Sequence, residues 1–398
     1  MKTGWKVGTI FGIPLHLDPS WFLIVAFSAY IYGSNWQSTP WGATGTAWIA
    51  GLIMALSLFA SVLLHELGHS LVARSQGITV NSITLFLFGG IASIDQESKT
   101  PLQAFQVAIA GPTVSFALFI LLSLLTLLPL PAPAQAIITQ LAGLNFILAL
   151  FNMIPGLPLD GGQVLKAAIW KATGSRIKGV RWAAKIGQTL GWFALILGIA
   201  ACFTPLGTRF LWIALLGWFG IRNASAYSSI SDLQEALLHL KAASAISREF
   251  RVVDTHLTLR QFADKYLLDT PETTTYYAAS EGRYRGLIPP EALRDVERSL
   301  WETKTLELIL QPLDTLPTLP ESAPLTQVID QLETRALRRL TILTPAGAVA
   351  GVIDRGDIVR TLATHLNIPI PDDVIQRIKQ DGAYPPGLQL AAIAKSAN

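Results

Sequence analysis

A chain of 398 residues with 30 Lys and Arg against 27 Asp and Glu has a formal net charge of +3, too small an excess to imply a nucleic-acid partner. Only 14% of residues are charged, and they divide unevenly, 16 in 1–221 and 41 in 222–398, so the first part reads as a membrane domain and the second as a soluble one. The single cysteine, Cys202, excludes an internal disulfide and a thiolate zinc cluster; it reads as a small apolar residue of a membrane helix.

The opening Met1-Lys2-Thr3-Gly4-Trp5-Lys6 has no short apolar core followed by a cleavage site, so no removable signal peptide is expected. Six apolar stretches follow, at roughly 19–33, 46–74, 103–130, 135–155, 183–204 and 207–224, several of them close to the ~20 residues a spanning helix needs. Lys2 and Lys6 precede the first, Arg74 and Lys99 flank the second connection, and Lys166, Lys171, Arg176, Lys178, Arg181 and Lys185 crowd the fourth. The alternate loops 34–45 and 129–135 carry no charge, and the 204–209 turn has only Arg209. Basic residues collect on the cytoplasmic side, so both termini are expected there, in a multi-pass protein of the cell (inner) membrane.

The second stretch ends in His65-Glu66-Leu67-Gly68-His69, after a run of residues 19–64 without Asp, Glu, Lys or Arg. Histidines four apart share one helix face, so both imidazoles can reach one zinc ion, with the glutamate between them turned toward water. This is the pattern of a hydrolytic site, here inside a membrane. A catalytic zinc takes three protein ligands and keeps one position open, which leaves one ligand to find. The next uncharged run, 100–159, ends in Asn152-Met153-Ile154-Pro155-Gly156-Leu157-Pro158-Leu159-Asp160-Gly161-Gly162. A carboxylate at the end of an apolar segment needs a cation, which zinc on the two histidines would supply to Asp160. Alternatively, Asp160 caps the amphipathic helix that follows. His16, His239, His256 and His365 do not recur at ligand spacing and read as surface or packing residues.

Between these motifs, Val80, Ile83, Leu85, Leu87 and Ile91 roughly alternate and Gly89-Gly90 interrupts them, so 78–94 reads as a short strand hairpin near the membrane. A free strand edge is costly in lipid. The hairpin must therefore plug the cytoplasmic mouth against protein or offer its backbone to an extended peptide. Gly111-Pro112, in the third apolar stretch, allows a kink or the close approach of a neighbouring helix.

After Arg222, amphipathic helices are expected at 258–268 and 325–337 and strands at 341–343 and 349–353. Two units of about 60 residues share one order: extended segment, helix, strand, then Gly-apolar-apolar and a further helix. Tyr284-Arg285-Gly286-Leu287-Ile288 before 290–300 matches Ala350-Gly351-Val352-Ile353 before 356–366. From Pro369 on, Pro371, Pro385, Pro386 and Gly387 suggest a partly disordered, flexible tail.

On His65 to His69 and Asn152 to Gly162, the membrane domain resembles the site-2 protease family of intramembrane zinc metalloproteases, over about 220 residues. The resemblance implies one zinc ion held by His65, His69 and Asp160, with Glu66 as general base and Asn152 steadying the tetrahedral intermediate. It also implies cleavage of transmembrane segments of membrane proteins, in regulated intramembrane proteolysis. The second half resembles a tandem cystathionine-β-synthase (CBS) domain pair, which implies a regulatory module, adenine nucleotide as ligand and homodimerisation. In such modules a Thr and, three residues on, an Asp follow the Gly-apolar-apolar strand end and contact phosphate and ribose. The second unit keeps the ribose-type Asp357 but has Asp354 where the hydroxyl belongs, and the first, Pro289-Pro290-Glu291-Ala292, has neither. A docking platform without ligand is the alternative.

The expected fold is therefore multi-domain: a polytopic α-helical membrane domain of about six transmembrane helices with a short membrane-associated β-hairpin, plus an α/β tandem CBS pair. The expected divisions are 1–228, 240–308, 309–368 and a tail of 369–398. Two rival readings remain. A membrane transporter or channel with regulatory CBS domains would place ionisable residues along a path at mid-membrane, and a non-catalytic membrane scaffold would have lost Glu66.

Overall fold

The computed structural model describes residues 4–42, 45–87, 89–94, 98–204, 207–267, 274–385, 387–388 and 390–397. The chain divides into two compact units, Met1–Ser231 and Asp232–Asn398.

The first unit opens on a hairpin, β1 (Trp5–Ile10) and β2 (Ile13–Leu17), turned at Phe11-Gly12, both of which have positive φ. Helix α1 (Pro19–Trp36) starts at Asp18, whose carboxylate accepts the Ser20 N–H, with Pro19 at the first helical position. Then come α2 (Thr46–Ser75), β3 (Val80–Phe86), β4 (Gly89–Ile94), α3 (Pro101–Leu125), α4 (Ala132–Asn152), α5 (Asp160–Thr173), α6 (Arg176–Cys202) and α7 (Leu211–His239), whose residues from Asp232 on belong to the second unit.

Of the six apolar stretches, four lie in helices, α2, α3, α4 and α6, that are among the described residues long and apolar enough to cross a membrane. The other two apolar stretches are helical but differ in kind. The 18 residues of α1 rise about 27 Å at 1.5 Å each, at the lower end of the length a spanning helix needs. The 29 residues of α7 take in Arg222, Asp232 and Glu235.

The strands form one mixed sheet in the order β1-β2-β3-β4, with β2 and β3 parallel (Leu15 opposite Ile83, Leu17 opposite Leu85). The expected hairpin is thus only half of a four-stranded sheet, because the N-terminal segment adds two strands to it. Ile13, Val80 and Ile83 bury against Leu67 and Ala73, which seats the sheet on the last turns of α2, and β4 is left at an edge. Small residues bring the helices together: a Cβ on Gly51 would stand 2.6 Å from the Ala29 carbonyl oxygen, and one on Gly68 would stand 3.0 Å from that of Ala110.

The second unit holds two sheets of like topology. In one, β5 (Phe250–Asp254) runs parallel to β6 (Thr275–Ser280), which pairs antiparallel with β7 (Arg283–Ile288) and that with β8 (Gln311–Pro312). In the other, β9 (Thr318–Pro320) runs parallel to β10 (Arg339–Leu343), which pairs antiparallel with β11 (Val349–Asp354). The repeat read from Gly286-Leu287-Ile288 and Gly351-Val352-Ile353 therefore lies on equivalent strands, β7 and β11. Tyr277 and Thr341, at matching positions of β6 and β10, bond through their hydroxyls at 2.6 Å within a buried cluster containing Val349 and Val352.

The helices follow the repeat less closely. Expected helix 258–268 is a short α8 (Leu259–Phe262), started by a Thr258–Gln261 capping box and continued by a π-turn to Leu267. Helix α9 (Leu325–Thr334) matches expectation, as does α10 (Arg355–His365), whose cap is Asp354. Residues 290–300 are 3-10 turns instead of an α-helix, since Pro289-Pro290 offers no N–H and no capping side chain where α10 has Asp354. The stretch expected to be a flexible tail forms α11 (Asp372–Asp381) and α12 (Leu390–Ala397), which bury Ile375, Ile378, Leu390 and Ala394 in the core beside Leu332, Leu340 and Ile353. Their apolar residues at helical spacing outweigh the prolines that frame them.

Candidate metal centre and active site

His65 and His69 lie one turn apart near the end of α2, and Asp160 opens α5, 91 positions beyond His69 in the chain. Their ligand atoms converge: His65 Nε2 and His69 Nε2 are 3.1 and 3.3 Å from Asp160 Oδ2 and 3.2 Å from each other. Among the described residues this is the cluster whose donor atoms could hold a metal ion. Asp160 is not the helix cap. That position belongs to Leu159, which has no side-chain bond to offer, and the Asp160 carboxylate turns to the imidazoles.

The residues fit a zinc ion on three counts. Ligands ~2.0–2.1 Å from a tetrahedral metal stand ~3.3 Å from one another, which is the spacing found. His69 Nδ1 lies 2.7 Å from the Val107 carbonyl oxygen, which can only accept, so the ring proton is on Nδ1 and the Nε2 lone pair faces the cluster. Finally, α3 presents Gly111 at the site, where a Cβ would stand 2.2 Å from His69 Nε2 and 2.7 Å from His65 Nε2. The Gly111-Pro112 step thus serves close approach, and what approaches is the pair of imidazoles themselves.

Glu66 is half-buried, with its side chain against β4: a Cβ on Gly90 would meet Glu66 Cγ at 2.5 Å. Strand and carboxylate are therefore neighbours. Gly161 and Gly162 let the start of α5 sit on the backbone of 153–157, since Cβ atoms there would come within 2.3 Å of Met153 O and of Leu157 N. Asn152 is the last residue of α4 and half-buried; among the described residues no hydrogen bond ties its side chain to the cluster. Two contacts were not legible in the sequence. Ser115 Oγ lies 2.9 Å from His65 Nδ1, and Asn145, deep in α4, donates to Ser61 Oγ at 3.1 Å, one turn before His65. Isolated hydroxyls and amides in apolar helices carry no spacing signal.

Residues 53–133 and 129–198 match peptidase family M50. Over 366 residues the chain is 41% identical to the candidate zinc metalloprotease sll0528 of Synechocystis sp. (strain ATCC 27184 / PCC 6803 / Kazusa), covering 92% of this chain and 97% of that protein. The chain belongs to peptidase family M50. It is a zinc metalloendopeptidase of the site-2 protease type, and an integral membrane protein. Among solved structures this M50 chain is similar to a site-2 protease from Methanocaldococcus jannaschii, at 30% identity over 56% of this chain and 95% of that one (TM-score 0.43). It is also similar to the CBS domain of a bacterial CNNM/CorC family Mg2+ transporter, at 17% identity over 42% of this chain and 99% of that one (TM-score 0.31). Membership of this peptidase family sets aside the transporter reading of the whole chain.

In the second unit, the Asp357 carboxylate already has partners. Asp354 and Asp357 form a reciprocal capping box, each accepting the other's backbone N–H at 3.0–3.1 Å. Asp354 is thus explained as a helix cap. Lys379 of α11 reaches Asp357 Oδ1 and Glu249 Oε2, both at 2.7 Å, with its side chain only 3% exposed. Gly356 makes room for it, since a Cβ would stand 2.5 Å from Lys379 Cγ. Burial, and then the charge of Asp354, push Asp357 up to about 6 despite the ammonium; the bond from Lys379 holds Glu249 below the usual carboxylate range.

Proposed function

We propose that His65, His69 and Asp160 hold the single zinc ion of this M50 protease, that Glu66 is its general base, and that it hydrolyses peptide bonds within transmembrane segments of other membrane proteins. The convergence of two imidazole nitrogens and one carboxylate oxygen within 3.3 Å, from segments far apart in the chain, carries this reading. When bound, zinc supplies a Lewis acid that polarises the scissile carbonyl and lets water lose a proton near neutral pH. The Glu66 carboxylate takes that proton and returns it to the departing amide nitrogen. Asn152 is assigned to the developing oxyanion by the family resemblance.

A substrate helix must unwind first, because its backbone hydrogen bonds shield the peptide carbonyls. The edge strand β4 can replace those bonds for an extended segment, and its contact with Glu66 at Gly90 would hold that segment beside the base. Glu66→Gln in the full chain is expected to retain zinc and lose cleavage of a reconstituted membrane substrate. Cleavage at the normal rate would remove Glu66 from this role.

For the soluble part, the proposed division is two CBS-like repeats, 240–308 and 309–368, acting as a cytoplasmic regulatory and dimerisation module, with 1–228 as the protease domain. The basic flanks of the helices support cytoplasmic termini in the cell membrane. An adenine nucleotide at the second repeat would have to displace Lys379 from Asp357, which favours a docking role without nucleotide at that position.

A further inference from the structure

The metal ligands contributed by α2 are both braced by α3, and in a regular pattern. Val107, Gly111 and Ser115 recur every four residues and share one face of that helix. Val107 accepts the Nδ1–H of His69 through its backbone, Gly111 admits both rings by having no side chain, and Ser115 Oγ lies 2.9 Å from His65 Nδ1. Of the three, Ser115 alone acts on a ligand through a side-chain atom. It is fully buried, 0% exposed, and is the one polar residue among the buried residues of that helix.

We infer that Ser115 is a positioning residue for zinc: its hydroxyl oxygen accepts the Nδ1–H of His65, fixes the tautomer that leaves the Nε2 lone pair free, and holds the ring edge-on to His69 and Asp160. This rests on the zinc reading above. An imidazole that loses its outer partner can rotate and can carry its proton on either nitrogen, so the cost falls on metal affinity. Loss of such a partner weakens binding by about ten- to a hundredfold.

The test is chelator competition for zinc on the full-length protein in detergent, comparing wild type with Ser115→Ala, alongside thermal melting of both after metal removal. The expected result is about ten- to a hundredfold weaker zinc binding by Ser115→Ala, with the metal-free melting temperature unchanged. Unchanged zinc affinity would overturn the inference. So would a loss of affinity accompanied by a lower metal-free melting temperature, since that is what a helix-packing role produces. Wild-type protein that binds no zinc would sink the metal reading itself, a separate failure.

Discussion

At Gly111 the backbone of α3 comes so near the imidazoles that any side chain would collide with the ring nitrogens proposed to receive zinc. Gly111→Ala is therefore expected to weaken zinc binding at least about tenfold, or ~1.4 kcal/mol, with cleavage falling in parallel. Zinc titration checks this, and wild-type affinity would mean that α3 shifts to admit the methyl. At this scale the sequence was informative wherever chemistry imposes a spacing. His65, Glu66 and His69 are recognisable because one helix face must carry two ligands, and Asp160 because a lone carboxylate closing an uncharged run needs a cation. Ser115 and the Val107 carbonyl were not recognisable, because an outer partner answers to no fixed offset along the chain.

Among the elements, α11 has the most direct energetic consequence. Lys379 compensates Asp357, Asp354 and Glu249, two of them buried carboxylates. Removing one partner of a buried ion pair costs about 3–5 kcal/mol because the remaining charges stay desolvated. Lys379→Met should therefore destabilise the protein by about that much at pH 7, measured by denaturant unfolding. The sign of the pH dependence follows from Asp357. Its folded-state pKa of about 6 already lies above the usual carboxylate range, and loss of the ammonium raises it further. Between pH 7 and 5 the folded variant, with the higher pKa, holds more of this proton than the folded wild type, while the unfolded chains do not hold it, so the deficit should shrink on acidification. A deficit that grows on acidification would refute the pairing. Sequence patterning located α9 and α10 through apolar periodicity, but it missed β1 and β2, a short hairpin joined to the rest of the sheet only through β3. It also overread 290–300, where the prolines decide, and it underread α11 and α12, where framing prolines masked buried isoleucines.

For the whole molecule, the cytoplasmic placement proposed for the basic flanks predicts a labelling pattern. With Cys202 replaced by Ser, a membrane-impermeant maleimide added to intact cells should modify Ser38→Cys, in the uncharged 34–45 loop, and spare Lys171→Cys until the membrane is opened. The reverse pattern would invert the assigned topology. The sequence by itself determined the division into an apolar and a polar half, the pairing of residue types proposed as metal ligands and the repeat of the second half, because composition, helical period and strand order are local properties of a chain. Only the tertiary structure decided that Asp160 meets the two histidines instead of capping its helix, that the hairpin is half of a four-stranded sheet with an edge beside Glu66, and that Lys379 occupies Asp357. Each of these joins residues tens of positions apart or more, and which distant groups meet is fixed by how helices and strands close-pack, which no local pattern encodes.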